Sequence, residues 1–296
     1  MTEDELEVVR RAFGRQMVGR QGIENARLEA AFAAVRREDF LGVDPWYLVP
    51  LSGGTYRKLP KNDPVYLYQD LLFALQRERG VNNGSPSLHA WMMHHLAPRT
   101  GDRVAHIGAG SGYYTALLAE LVGPAGHVTA VEFDKGLADL ARATLSTRPN
   151  VTVVQGDGAE WPVQAVDRIY VNFAVSRPAA PWIDQLALGG KLIFPLGVSA
   201  PSAPAQDSKH AVHGAAFLVE KHERGLAARS LCPAFFVLAE GTLAEDAETR
   251  KLLFEAFERG GVELVKSLRW KEDADPSQCW FCGSGWALSH DPIEEP

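Results

Sequence analysis

Cysteine is scarce in this chain of 296 residues: there are three, Cys232, Cys279 and Cys282. That is too few, and of the wrong parity, for a disulfide framework, and it points to a reducing compartment, the cytoplasm by default. Basic charge is also in deficit. Lys plus Arg number 30 against 37 Asp plus Glu, a net charge of -7, so no surplus exists to neutralise a phosphate backbone or an anionic membrane, and neither is expected as a partner. No apolar run approaches the ~18 residues of a membrane span. The opening Met1-Thr2-Glu3-Asp4-Glu5-Leu6-Glu7 is acidic where a signal peptide would be basic. What remains is ordinary: 46% hydrophobic and 23% charged excludes wholesale disorder and collagen-like repeats, and the length suits one large domain or two small ones.

Apolar residues at spacings of three and four (Leu6, Val9, Phe13, Met17) predict a helix over residues 4–19, and Asn25 opens a second through Leu28, Ala31, Phe32 and Val35. The arginines at 10, 11, 15 and 20 read as a solvated face rather than an anion site. Residues 40–66, rich in Pro and Gly, read as an irregular connection with a short hairpin, and Leu67 to Arg79 as helical. From Asp102 short apolar runs alternate with helical ones. Strands are predicted at 104–107, 127–132, 151–154, 168–171 and 191–194, with helices over 114–122, 135–145 and up to Leu188. That alternation means an α/β protein with a parallel, doubly wound, Rossmann-like sheet. Residues 197–210 read as a surface loop. Strands at 215–220 and 234–238 follow without a full helical crossover, which predicts an antiparallel edge. A helix to about Arg259, a strand near 262–268 and an aromatic stretch from Cys279 to Leu288 form a small α/β extension.

Ile107-Gly108-Ala109-Gly110-Ser111-Gly112 follows a strand and opens a helix, and Glu132 ends the next strand 24 positions after Gly108. Glycines let the backbone approach a ligand, and a carboxylate there can accept both hydroxyls of a ribose, so a nucleoside-containing cofactor is expected. Tyr113 stands where a dinucleotide fold places its third glycine, which makes NAD and a nicotinamide dehydrogenase the weaker choice. Gln155-Gly156-Asp157-Gly158 brings Asp157 to the carboxyl edge, within reach of an adenine amino group, although such a triplet is often only a turn. A non-catalytic binding module with the same fold is a third reading.

The motifs Asp102-Arg-Val-Ala-His-Ile-Gly-Ala-Gly-Ser-Gly-Tyr113, Val131-Glu-Phe-Asp134, Gln155-Gly-Asp-Gly158 and Leu188-Gly-Gly-Lys-Leu-Ile-Phe-Pro-Leu-Gly197 stand in order along the chain. Together they resemble the protein-L-isoaspartate O-methyltransferase family. Upstream, Gly22-Ile23 and Val35-Arg-Arg-Glu-Asp-Phe40 are similar to its helical lead-in, and Cys232-Pro-Ala-Phe-Phe-Val237 is weakly similar to its end. The resemblance implies a seven-stranded methyltransferase sheet, S-adenosyl-L-methionine as cofactor, and O-methylation of an isoaspartyl residue of a protein or peptide. It implies that Gly108, Gly110, Ser111 and Gly112 wrap the methionine and ribose portion, that Glu132 holds the ribose, and that Asp157 with Gly158 holds the adenine. Three segments follow from this layout: 1–80 helical and irregular, 81–240 the cofactor-binding core, and 241–296 the extension.

The family's substrate loop, Thr-Ile-Ser-x-Pro before a helix, aligns here with Asn82-Asn83-Gly84-Ser85-Pro86. The hydroxyl positions hold Asn82 and Gly84, and the nearest hydroxyls, Ser85 and Ser87, are off register. An acidic residue usual on the first strand is replaced by His106. A carboxylate acceptor with a pKa near ~4 is already ionised and needs orienting donors rather than a base. Asn82 and Ser85 are therefore the candidate catalytic positions, with Asn83, Ser87 and His89 beside them, and the start of the following helix offers N–H groups to an anion. A turn with a helix cap is the bland alternative, and a different peptide carboxylate or a small acid the runner-up acceptor. Cys279-Trp-Phe-Cys282 has metal-ligand spacing without a second ligand pair, so no metal is expected. Asn172-Phe173-Ala174-Val175 lacks the prolines of amino-group methyltransferases, which disfavours base methylation.

Overall fold

The computed structural model describes residues 1–42, 45–49, 55–200 and 209–293. The chain divides into two compact units, Met1–Val104 with Ala109–Gly156, and Ala105–Gly108 with Asp157–Pro296.

In the first unit, α1 (Glu3–Gly19) begins with Thr2 and Glu5 bonding reciprocally to each other's backbone N–H, and α2 (Ala26–Ala34) is capped by Asn25. Both bury the stripe that their spacing predicted, Phe13 and Met17 from α1 and Leu28 and Phe32 from α2. Strands β1 (Tyr47–Val49), β2 (Arg57–Lys58), β3 (Leu72–Gln76) and β4 (Val81–Asn82) form a small sheet in the order β2-β1-β3-β4. The helix expected over Leu67–Arg79 is thus a strand and hairpin. The buried Arg37 decides this: its guanidinium donates to the carbonyls of Leu67, Gln69 and Leu71 at 2.5, 3.0 and 2.8 Å, groups that a helix would need for its own ladder. Phe73 then packs with Trp46, Leu59 and Leu67. After α3 (Pro86–Leu96) come the first residues of β5 (Arg103–Ile107), then α4 (Tyr113–Val122), β6 (His127–Glu132), α5 (Lys135–Thr144) and β7 (Val151–Gln155), with β6 and β7 parallel.

The second unit carries the rest of β5, then β8 (Val166–Val171), the short α6 (Ala180–Asp184) and β9 (Leu186–Val198), parallel to β8. Antiparallel pairing begins at β10 (His213–His222), which runs against β9 and against β11 (Gly225–Pro233). The second edge strand is therefore 225–233 rather than 234–238. Residues 237 and 238 form only isolated bridges, to His210 and Ala174, because the turn after His222 starts the return strand early. Most of the loop read at 197–210 lies outside the described residues. The C-terminal segment supplies α7 (Ala247–Arg259) and continues the antiparallel run: β12 (Ser267–Trp270) pairs with β11, β14 (Trp286–Ser289) with β12, and β13 (Cys279–Gly283) with β14. Among the described residues no helix is long and apolar enough to cross a membrane.

Candidate functional site

The glycine turn folds as a strand-to-helix turn whose first free N–H groups are answered by an acid from the next strand. Gly110 N–H donates to Glu132 Oε2 at 2.7 Å and Asp134 N–H to Glu132 Oε1 at 2.9 Å. Burial raises the Glu132 carboxyl above its ordinary range, against the pull of the Asp134 and Gly110 N–H groups. Gly110 has φ +56, and a methyl group there would stand 3.4 Å from Leu75 Cδ1. The buried Ser111 faces inward, its carbonyl accepting from Thr144 Oγ1 at 3.2 Å, and Gly112 is the N-cap of α4. Phe133, between Glu132 and Asp134, is 45% exposed, an apolar ring beside a carboxylate to which the motif reading assigned no role.

Asp134 caps α5 through Leu137 N–H at 2.9 Å and takes Arg79 Nη1 on its other oxygen at 2.6 Å. Burial pushes its carboxyl up, and the Leu137 N–H, Gln76 and Arg79 together hold it below the ordinary value.

The segment that aligns with the family's substrate loop, residues 82–86, is more inward-looking than its sequence suggests. Asn83 is buried and exchanges two bonds with the Phe73 backbone, N–H to Phe73 O at 2.9 Å and Oδ1 from Phe73 N–H at 2.8 Å. Asn82 Oδ1 accepts from Gly84 N–H at 2.9 Å, which leaves its amide nitrogen as the donor end. Ser85 is the N-cap of α3, and its hydroxyl donates to Asp70 Oδ1 at 2.9 Å. Ser87 gives Asp70 both its hydroxyl, at 2.6 Å, and its N–H, at 3.0 Å. The helix start expected to receive an anion thus already holds one, the Asp70 carboxylate, with Arg20 Nε 3.4 Å away. Sequence reasoning missed Asp70 because it lies 15 positions upstream of Ser85 and only the fold of the hairpin returns it. His89 has no exposed surface: its ring stacks on Tyr114 at 3.6 Å, and a methyl group on Gly84 would stand 2.3 Å from its Nε2.

In the second unit, Gly108 backs onto Phe173, and the Gly158 carbonyl accepts from Trp182 Nε1 at 2.9 Å. Asp157 caps its own turn through Ala159 N–H and takes Thr242 N–H on Oδ2, each at 2.9 Å. These bonds overcome the effect of burial and hold its carboxyl below the ordinary value. Thr242 and Val237–Ala239, bonded to Ala174 at both ends, bring the segment after β11 to the carboxyl ends of strands. His106 is fully buried near Tyr170, and burial drops its pKa to about 3. Among the described residues no group of three or more His, Cys, Asp or Glu is placed to hold a metal ion.

A mixed α/β chain with parallel strands, a glycine turn and an acid at the end of the following strand has the fold of the S-adenosylmethionine-dependent methyltransferases. The family model for protein-L-isoaspartate(D-aspartate) O-methyltransferase matches residues 16–214, and the chain belongs to that family. The protein-L-isoaspartate O-methyltransferase of Aeropyrum pernix is 42% identical over 123 residues, 40% of this chain and 47% of that protein. That of Anaeromyxobacter dehalogenans is 36% identical over 185 residues, 61% and 78% of the two chains. The chain spans about half the length of the first of these curated relatives. Among solved structures, a protein-L-isoaspartate O-methyltransferase superposes with a TM-score of 0.62 at 25% identity over 88% of this chain and 72% of the other. A Plasmodium falciparum protein named for the same activity and solved with S-adenosyl-L-homocysteine gives 0.59 at 18% identity over 78% and 98%.

Proposed function

We propose that the chain is an S-adenosylmethionine-dependent O-methyltransferase whose acceptor is a carboxylate, first of all an isoaspartyl residue of a protein or peptide, working in the cytoplasm. The observation that carries the cofactor half is Glu132. Its two oxygens are pinned by one N–H each, and each keeps a further lone pair for a ribose hydroxyl. Gly110, Ser111 and Gly112 leave the turn without protruding side chains, and Phe133 offers an apolar face beside the carboxylate. The roles that the resemblance implies for Gly108, Asp157 and Gly158 are part of the same proposal, as is the reading of 81–240 as the cofactor-binding core.

Bound S-adenosylmethionine supplies a sulfonium methyl group for in-line displacement. The chain's task is then to aim an acceptor oxygen and exclude water, and an ionised carboxylate asks for no general base. Asn82, with its carbonyl turned to Gly84, is the loop donor best placed for this; Asn83, Ser85, Ser87 and His89 support the loop from beneath. A second reading, a different peptide carboxylate or a small acid, is favoured by one observation: the loop's hydroxyls go to Asp70, and the position of the family's serine is Gly84, against which His89 is packed.

Methyl transfer to an isoaspartyl peptide beside its aspartyl twin tests the proposal, after calorimetry with S-adenosylhomocysteine and NAD. Base-labile label on the isoaspartyl peptide alone is the expected result. Cofactor binding with label on neither peptide moves the assignment to the second acceptor, and binding of NAD in place of S-adenosylhomocysteine overturns it.

A further inference from the structure

The hairpin of β3 and β4 meets the cofactor turn at three points within the first unit. Leu75 lies over Gly110, with 3.4 Å to a methyl group placed there. The Tyr114 hydroxyl, from the first turn of α4, donates to the Gly84 carbonyl at 3.3 Å. At the hairpin tip, Arg79 Nη1 donates to Asp134 Oδ2 at 2.6 Å and to Gln76 Oε1 at 2.9 Å. β3 and β4 pair through Ala74 with Asn82 and Gln76 with Val81, and Asn83 continues the pairing by its two bonds to Phe73; these bonds lie at the open end of the hairpin, and Arg79 adds a bond at its tip. On its other side the Arg77 guanidinium sits 4.0 Å over the Tyr47 ring.

Asp134 joins the tip to the cofactor position. Its N–H holds Glu132 Oε1, one side-chain oxygen caps α5, and the other takes Arg79. We infer that Arg79 is a positioning residue, which latches the acceptor hairpin to the turn carrying Glu132 so that filling the cofactor position and ordering the hairpin reinforce each other. This rests on the reading of Glu132 as the ribose ligand. By linkage the coupling is reciprocal: whatever Arg79 adds to cofactor affinity through the hairpin, cofactor returns as order in residues 72–82. The pair is partly exposed, 38% at Arg79 and 23% at Asp134, which bounds its effect at about fivefold in an equilibrium and makes it sensitive to salt.

Hydrogen exchange on the full chain, with and without S-adenosylhomocysteine, reads the order of residues 72–82, and calorimetry with the same compound reads affinity. In the unaltered protein, ligand should slow exchange across 72–82. Arg79→Ala should lose that gain and bind the ligand about two- to fivefold more weakly with its melting temperature nearly unchanged, while Arg79→Lys restores part of both. High salt should shrink the gain in the unaltered protein. An Arg79→Ala variant with the full gain and full affinity overturns the latch. Should that variant fail to fold, Arg79→Lys and the salt series decide, and a gain indifferent to both overturns it. Failure of the unaltered chain to bind S-adenosylhomocysteine overturns the cofactor reading and the latch with it, whereas binding without slower exchange at 72–82 overturns the latch alone.

Discussion

Glu132 is a buried carboxylate that the fold holds at both oxygens and that the proposed function assigns to a ligand as well. Gln in its place keeps a single acceptor oxygen, so either the Gly110 or the Asp134 N–H would face an NH2 group. Glu132→Gln should therefore weaken S-adenosylhomocysteine binding by about 1–3 kcal/mol, measured by calorimetry. The pH dependence follows from the raised carboxyl. A folded pKa above the ordinary 4.5 favours the neutral form in the native state, so the group's contribution to stability is full below 4.5 and is lost as pH rises through the folded value. Ligand binding wants the ionised form, so the thermal shift produced by S-adenosylhomocysteine should grow as pH rises through that window and then level off. A shift that falls with pH would remove Glu132 from the ribose. Gly84 was legible as a departure from the family's loop, but its reason was not. The chain there has φ +71, and the His89 ring fills the space a side chain would need.

At the scale of elements, the start of α3 and the β3–β4 hairpin together carry the loop proposed to receive the acceptor. Ser85 caps the helix, as Asn-Asn-Gly-Ser-Pro suggested, yet the charge that complements the helix dipole comes from Asp70. Asp70→Ala leaves two hydroxyls and one N–H without their acceptor and should cost about 1–3 kcal/mol of stability, and Ser85→Ala about 1 kcal/mol. Because the two share a hydrogen bond, the double variant should lose less than the sum in denaturant titrations. Strict additivity would mean that Asp70 and Ser85 share no network. The strand at 72–76 reads as helix in the sequence because Leu71-Leu72-Phe73-Ala74-Leu75 is apolar throughout and gives no period. Its conformation is imposed from outside, by Arg37 on the carbonyls before it and Asn83 on the backbone of Phe73.

In the second unit the C-terminal extension continues the antiparallel run beyond β11 and is held by aromatic packing. Trp280 is buried, meets Phe257 edge-on at 5.0 Å and donates its indole N–H to Gly260 O at 3.0 Å. Trp280→Ala should cost about 3–5 kcal/mol, read by denaturation followed through far-ultraviolet circular dichroism; a loss under ~1 kcal/mol would mean the extension is an independent appendage. The amino-acid sequence by itself determined what depends on neighbours along the chain: the strand-helix alternation, the glycine turn, the acid ending the following strand, and the helix cap before Pro86. These are backbone conformations and periodicities, set within a few residues. Only the tertiary structure decided how the polar groups of the candidate site are already engaged, because Asp70, Tyr114, Arg79 and Thr242 reach their partners across 15 to 85 positions. A hydrogen bond of that span exists only once hydrophobic burial has brought the two segments together, and no local propensity records it.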